Sequence, residues 1–381
     1  MSQSTQRLLS LDAFRGLTMA GMILVNNPGS WSHVYAPLRH AEWHGWTPTD
    51  LVFPFFLFIV GVAIKLSMDK YLRISARRQM LLRIIRRTVL LFALGLFLNG
   101  LFEFDVSTWR IPGVLQRIAV CYFFASLIYM VCSRRRNGLV VTDIKIFAVI
   151  FVGLLVLYFI LMKFVPVPGY GPGNIDSPDG NLAAFFDRAV FGQHLWAQSK
   201  TWDPEGILST LPAIATVLSG VLCGWWLRRG DNQNKIFLGL MIAGLIGVAL
   251  AFLFHPFFPI NKKIWTSSFV LLTSGLAMLV LGLIYYYMDV AGKRRGATPF
   301  LVFGSNAIVA YFLSSFFGHL LYYVRISSGD SSYSLKDLIY SVMLEPIFGP
   351  DIASLVFALL YVMLWLSVLS LLYKKRIYVR L

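Results

Sequence analysis

Apolar residues run along this chain in blocks of about twenty, broken by short basic connections and by longer ones rich in proline, glycine and aromatic residues. Ten blocks reach the length that crosses a hydrocarbon core of ~30 Å as a helix. They cover residues 9–27, 48–68, 84–102, 113–132, 144–164, 207–227, 236–254, 265–287, 299–320 and 351–373. A helix is the one open-chain structure that satisfies every backbone N–H and C=O inside a bilayer. The pattern therefore predicts an all-α polytopic membrane protein, a single transmembrane domain over 1–381 with about ten helices. It shows no internal repeat and no pair of broken helices. The amino terminus is polar and short, and the first block carries Asp12 and Arg15, so no cleavable signal peptide is read.

Composition supports the pattern. The 381 residues are 57% hydrophobic and only 14% charged, against roughly 25% charged in soluble domains. The net charge of +16 would suggest nucleic acid in a soluble protein, but the placement of the cations gives a different answer. Of the 34 Lys and Arg, 23 fall in one alternating set of connections, including Arg7, Arg77, Arg78, Lys374, Lys375 and Arg380. Ten fall in the other set, and Arg15 lies within the first block. By the positive-inside rule both termini are cytoplasmic, and no nucleic-acid partner is needed. Acidic residues divide the opposite way, 13 outside to 5 inside. All six histidines, His33, His40, His44, His194, His255 and His319, fall on the outer side, which places the groups that exchange protons near neutrality there. Cys121, Cys132 and Cys223 lie in or beside apolar blocks and read as packing residues.

The outer connections 27–47, 165–206 and 321–350 are the long ones, and long loops in compact proteins usually carry function. Within the second, LAAFFDRAVFG reads as a short interfacial helix anchored by Phe185, Phe186 and Phe191. The polar groups at the block ends are the candidate chemistry, because such groups are costly near lipid. His40 can act as a general base or a nucleophile, or it can be a solvated loop residue. Asn26 can orient an imidazole or donate to an oxyanion, or it can cap its helix. Asp50, in Thr47-Pro48-Thr49-Asp50, can orient His40, pair with a substrate ammonium, or cap the second block. Arg117 can neutralise a substrate oxygen or pair with a carboxylate such as Asp203 or Glu205. In Trp202-Asp203-Pro204-Glu205-Gly206 an indole and two carboxylates suit an amino sugar, and a helix-capping role fits equally. Lys262 and Lys263 can meet an anion or lipid headgroups. Asp12 and Arg15 share a helix face at i,i+3 and read first as an ion pair, with a phosphate contact for Arg15 as the alternative. Arg83, Arg86 and Arg87 are either a phosphate site or plain topogenic charge, and no glycine-rich phosphate loop accompanies them. Asn306 reads as a polar group bonding between helices.

Six segments in order, RLLSLDAFRGLTMAGMILVNN, LRHAEWHGWTPTDLVFPFFLFIVG, RIPGVLQRIAV, WDPEGILSTLPAI, NKKIWTSSFVLLTSG and SNAIVAYFL, resemble the signature blocks of the heparan-α-glucosaminide N-acetyltransferase family, with its bacterial NagX-like members of the DUF5009 group. The resemblance implies a transmembrane enzyme of a bacterial inner membrane that moves acetyl from cytosolic acetyl-CoA to the amine of a glucosamine on the opposite side. A central polar cavity would then reach both faces. It implies His40 as the catalytic histidine, matched in Arg39-His40-Ala41-Glu42-Trp43, and Asn26 as its catalytic companion. Substrate contacts are then expected from Trp43, Asp50, Arg117, Trp202, Asp203 and Glu205, and contacts to acetyl-CoA from Arg15, Arg83, Arg86 and Arg87. No metal is expected. The partners are acetyl-CoA, an amino-sugar acceptor, the bilayer and at most a second copy in a homodimer. Two other readings stay open: a sugar or sugar-acid transporter without acyl chemistry, and an O-acyltransferase of a periplasmic glycan.

Overall fold

The computed structural model describes residues 8–74, 76–102, 105–136, 139–230, 232–328 and 331–379. Arg7 and Arg380 of the topogenic set lie outside them. The described chain is helical: α1 (Leu9–Asn26), α2 (Val52–Ile74), α3 (Arg77–Asn99), α4 (Val114–Cys132), α5 (Ile144–Phe164), α6 (Leu182–Phe191), α7 (Thr210–Leu227), α8 (Gln233–Phe254), α9 (Ser267–Tyr285), α10 (Thr298–Ser305), α11 (Ala307–Tyr323), α12 (Leu335–Asp337), α13 (Glu345–Phe348) and α14 (Pro350–Lys374). Two antiparallel hairpins join helices, β1 (Ser133–Arg136) with β2 (Leu139–Thr142), and β3 (Arg325–Ser328) with β4 (Ser331–Ser334). Among the described residues seven helices are long and apolar enough to cross a membrane, so the protein is all-α and polytopic. α1 and α3 stand where spans were expected but are not among the seven; α1 carries Asp12 and Arg15, and α3 opens on five arginines.

The ninth expected span is not one helix. α10 and α11 meet at Asn306 with a bend of 83°. The expectation that Asn306 bonds between helices is corrected by its partners: its amide donates to the Ile377 carbonyl and accepts from the Val379 N–H. A side chain that satisfies backbone of the terminal tail stands at the break, and the chain restarts as α11 beyond it.

The chain divides into two compact units. The first holds residues 8–40, 47–53 and 283–379. Here α1 crosses α10 at backbone distance. A Cβ on Gly16 would fall 1.7 Å from the Phe300 carbonyl oxygen, and one on Gly304 would fall 1.9 Å from that of Asp12. Small residues permit such close approach, which is the main source of helix–helix attraction where lipid removes the hydrophobic drive. The segment after α1 is tied to α14 by the Gly29 N–H on the Ser354 carbonyl and by the Ser30 N–H on the Ser354 hydroxyl.

The second unit holds residues 41–46 and 54–282. α2 and α7 cross at Gly61 and Gly220 with the same backbone intimacy. The 165–206 connection is anchored by an apolar cluster in which Val167, Ile175, Leu182 and Ala183 pack with Tyr158 and Met162 of α5 and with Phe258 and Ile264. Its helix α6 begins where the Asn181 side chain accepts the Ala184 N–H and ends at Gly192, whose φ of +56° suits glycine. Phe185 packs on the cluster while Phe186 is exposed.

The close crossing gives a direct test. Gly304→Ala is expected to cost about 1–3 kcal/mol through overpacking and to lower the melting temperature in detergent. Gly153→Ala, where an added Cβ meets nothing within 4 Å, is expected to leave the melting temperature unchanged or higher.

Candidate functional site

In the first unit the loop ahead of α2 is built by side chains bonding to backbone. Ala36–Leu38 forms one 3-10 turn, and Arg39 turns its Nε onto the Val34 carbonyl at 2.7 Å. Thr47 and Thr49 reach back, donating to the carbonyls of Arg39 at 2.6 Å and Pro37 at 3.1 Å. The Thr47-Pro48-Thr49-Asp50 turn then carries a reciprocal cap, with Asp50 Oδ2 accepting from the Thr47 N–H at 3.0 Å and its hydroxyl at 3.2 Å. The other oxygen, Oδ1, lies 2.6 Å from His40 Nδ1. The Asp50 side chain has no exposed surface and that of His40 is 35% exposed. The two readings of Asp50, cap and orienting group, are therefore both present, one on each oxygen.

The chemical meaning of that pair is specific. A carboxylate on Nδ1 keeps the proton there and places the basic lone pair on Nε2. It also favours the imidazolium that forms when Nε2 takes a proton. Asn26 ends α1 and is exposed, and among the described residues no hydrogen bond joins it to His40. Its neighbour Asn27 closes the helix instead, donating to the Ile23 carbonyl at 2.8 Å. Arg15 forms the expected ion pair with Asp12 at 3.0 Å.

In the second unit three indoles gather. Trp202 sits edge-on to Trp43 at 5.4 Å and to Trp196 at 5.8 Å, and Lys263 Nζ stands 5.6 Å from the rings of both Trp196 and Trp202. Trp43 is pinned by its Nε1–H on the Ile175 carbonyl at 2.9 Å. Next to it His44 contacts Asp176 through Nε2 at 2.8 Å and Asn261 through Nδ1 at 3.3 Å. Trp202 and Ile175 of the 165–206 connection meet Trp43, while Asn261 and Lys263, ahead of α9, meet His44 and Trp202, a gathering that only tertiary structure displays.

Asp203 and Glu205, for which the sequence leaves a substrate contact and a capping role open, are both engaged by Arg110, which grips Asp203 with two N–H groups at 2.6 and 2.9 Å and Glu205 at 2.7 Å. Their buried charge demands a cation, and the protein supplies its own. Burial works against the charged form of Arg110, but the hydrogen bonds and charges of Asp203 and Glu205 outweigh it and hold its pKa above the ordinary value. Burial likewise opposes ionisation of Glu205, and the charges of Arg110, Arg117 and Lys262 overcome it and keep its pKa below the usual carboxylate range.

Arg117 is the other cation, 2% exposed, and it pairs with no carboxylate in this network. Its Nη2 donates to the Gly206 carbonyl at 2.8 Å and to the Ser209 hydroxyl, and its guanidinium lies 5.3 Å from the Trp265 ring centre. Its Nε and Nη1 are buried and have no hydrogen-bond partner among the described residues. On α3, Arg83 lies over the Tyr71 ring and Arg87 over the Tyr122 ring, both at 4.6 Å, while Arg86 is exposed.

Residues 7–226 match the family described as Domain of unknown function (DUF5009). The chain belongs to the DUF5009 family. This DUF5009 protein is also similar to two curated proteins. The heparan-alpha-glucosaminide N-acetyltransferase of Homo sapiens is 34% identical over 355 residues, 82% of this chain and 53% of that protein. The protein of the same name from Mus musculus is 33% identical over 352 residues, 81% of this chain and 53% of that protein. The DUF5009 protein thus spans about half the length of the curated relatives it matches.

The Arg110 network yields a stability prediction. Arg110→Met strands two buried carboxylates, and breaking such a pair costs about 3–5 kcal/mol. The expected result is a lowered melting temperature in detergent at neutral pH. A melting temperature unchanged from wild type would remove Arg110 from the list of structural cations.

Proposed function

We propose that this DUF5009 protein is a membrane acetyltransferase that moves an acetyl group from acetyl-CoA, bound from the cytoplasm, to the amine of glucosamine or a small glucosaminide on the opposite side. The observation that carries the reading is the His40–Asp50 pair, at 2.6 Å, in a chain similar to named N-acetyltransferases. A carboxylate-oriented imidazole is a group well suited to act as general base in acyl transfer to an amine. The ten-span topology, with both termini cytoplasmic in a bacterial inner membrane, belongs to the same proposal and rests on the basic connections.

The chemistry assigned to the chain is as follows. His40 Nε2 takes a proton from the acceptor amine as its nitrogen bonds to the acetyl carbonyl carbon. The carbon–sulfur bond then breaks and the thiolate leaves with a proton, so that the amide and a thiol are the products. Asp50 holds the imidazole through Nδ1 and stabilises its charge in the interval. Asn26 is assigned the role of orienting the reactants or donating to the carbonyl oxygen as charge gathers there. An alternative path, in which Nε2 itself accepts the acetyl group, uses the same residues in two steps. Trp43 and Trp202 are assigned to a sugar face and Arg117 to an oxygen of a substrate. Arg15, Arg83, Arg86 and Arg87 are assigned to the phosphates of acetyl-CoA, to which their charge is suited.

The deciding experiment is transfer of labelled acetyl from acetyl-CoA to glucosamine by purified protein in detergent. Wild type is expected to label the amine. His40→Ala is expected to lose about 100-fold or more in kcat, the usual range for a general base. Asp50→Asn is expected to lose about 10–100-fold, as partners that orient a functional histidine typically do. Label on a hydroxyl would turn the reading to O-acyl transfer. Absence of acetyl-CoA binding by wild type would turn it to a transporter.

A further inference from the structure

Asp187 lies on α6, in the buried stripe of that helix with Ala183 and Ala184, and is 1% exposed. None of the chemistry above uses it. Its two carboxylate oxygens each take one backbone N–H from the Trp202–Ser209 segment: Oδ2 from Asp203 at 3.2 Å and Oδ1 from Ile207 at 3.0 Å. The carboxylate fills the space a side chain on residue 206 would need, since a Cβ on Gly206 would fall 2.1 Å from Oδ2 and 2.2 Å from Oδ1. Any side chain at 206 would have to displace that carboxylate. The turn between the two gripped N–H groups also holds Asp203 and Glu205 on Arg110, and offers the Gly206 carbonyl to Arg117. Trp202 immediately precedes it and stacks edge-on against Trp43 and Trp196.

We propose that Asp187 is a proton-dependent positioning residue for this cluster: as a carboxylate it fixes the Asp203–Ile207 turn through both oxygens, and on taking up a proton it weakens its hold on one of the two N–H groups and shifts Trp202 and the Gly206 carbonyl. A carboxylate only accepts, whereas a carboxylic acid has one oxygen that donates. The N–H facing that oxygen keeps only a weaker, uncharged acceptor while still buried, which favours movement of the turn toward a better partner. The proton balance is simple, one proton from solvent on one oxygen.

The charged and titratable groups around Asp187 come from three directions. Asp203 of the turn opposes its ionisation, Arg117 of α4 favours it, and the Tyr158 phenol of α5 stands near enough to feel its charge. On its own helix Arg188 turns away, onto the Thr201 carbonyl at 3.0 Å. Burial is the largest influence and pushes the carboxyl up; the two backbone N–H groups pull it back, and the balance lies at about 7. The exchange therefore falls near neutrality, where a buried carboxyl is rarely poised. The sign follows. Below that pH Asp187 is neutral and holds the turn more weakly, with one oxygen turned donor; above it the carboxylate holds both N–H groups at full strength.

The consequence for catalysis rests on the acetyl-transfer reading, so the first measurement does not. Intrinsic tryptophan fluorescence of the purified full chain is followed between about pH 5.5 and 8.5, the window in which a group near 7 titrates. Wild type is expected to show a one-proton transition near pH 7, diminished in Trp202→Phe and absent in Asp187→Asn. His44→Gln and His194→Gln are expected to keep it. A wild type with no transition overturns the proposal, whether or not any variant folds. So does a transition that survives in Asp187→Asn or vanishes in either histidine variant. With acetyl transfer in hand, the acceptor KM of wild type is expected to rise about fivefold from high to low pH, the worth of one hydrogen bond. Asp187→Asn should hold the high value throughout with kcat little changed. If the fluorescence transition behaves as expected and no acetyl is transferred, the positioning role of Asp187 stands and the acetyl-transfer reading falls.

Discussion

A carboxylate shut away from water has to be answered by the protein, and the two oxygens of Asp50 are answered by two different things. One caps the turn that starts α2, and the other holds the imidazole of His40. The geometry of the candidate catalytic group is thereby tied to the start of a long apolar helix. The helix cannot begin elsewhere without releasing the histidine, and the histidine cannot turn without stranding a buried charge. That coupling gives His40 a fixed tautomer although its loop has little regular structure. The threonines at 47 and 49 extend the hold by bonding back to the backbone of residues 37 and 39.

The same demand organises the second unit on a larger scale. Arg110, Asp203 and Glu205 form a buried network in which two carboxylates share one guanidinium. Asp187 grips the backbone of the turn that carries them. Arg110 itself is placed by Asn99, whose side-chain amide bonds the carbonyls of Arg110 and Pro112 just before α4. The route is continuous: a polar residue at the end of α3 fixes an extended segment, the segment presents an arginine, and the arginine fixes the turn ahead of α7. None of these groups makes sense alone, because the carboxylates are buried, Asn99 and Arg110 are partly so, and each needs the next.

Much of this was legible in the sequence. The hydropathy blocks locate α4, α5 and α14 to within a residue or so, and the Thr-Pro-Thr-Asp signal locates the start of α2. The break at Asn306 was not legible, because one amide among apolar residues barely lowers the hydropathy of a block, while its backbone partners lie some seventy residues away. His40 and Asp50, ten residues apart, could be proposed as partners from spacing and chemistry. The pairing of Arg110 rather than Arg117 with Asp203 and Glu205 could not. Both arginines lie at the same helix start and both reach the turn, Arg110 its carboxylates and Arg117 its Gly206 carbonyl, a division that spacing does not mark. Asp187 left a readable signal, a carboxylate at the i,i+3,i+4 spacing of a buried helical stripe. Its partners are backbone groups, which a sequence does not mark.

The division of labour between the two arginines bears on what the second unit can bind. Arg110 is gripped by two carboxylates, whereas the direct contacts of Arg117 are neutral, a carbonyl, a hydroxyl and an indole face, and the carboxylates of Asp187 and Glu205 feel its charge without bonding to it. An ammonium brought there meets a cation, and the carboxylates that would have welcomed it are already engaged. A substrate oxygen, by contrast, meets two buried N–H groups for which the described residues supply no acceptor. The local electrostatics beside Arg117 therefore favour an oxygen that accepts hydrogen bonds over an ammonium, because the oxygen answers buried donors and the ammonium would add like charge.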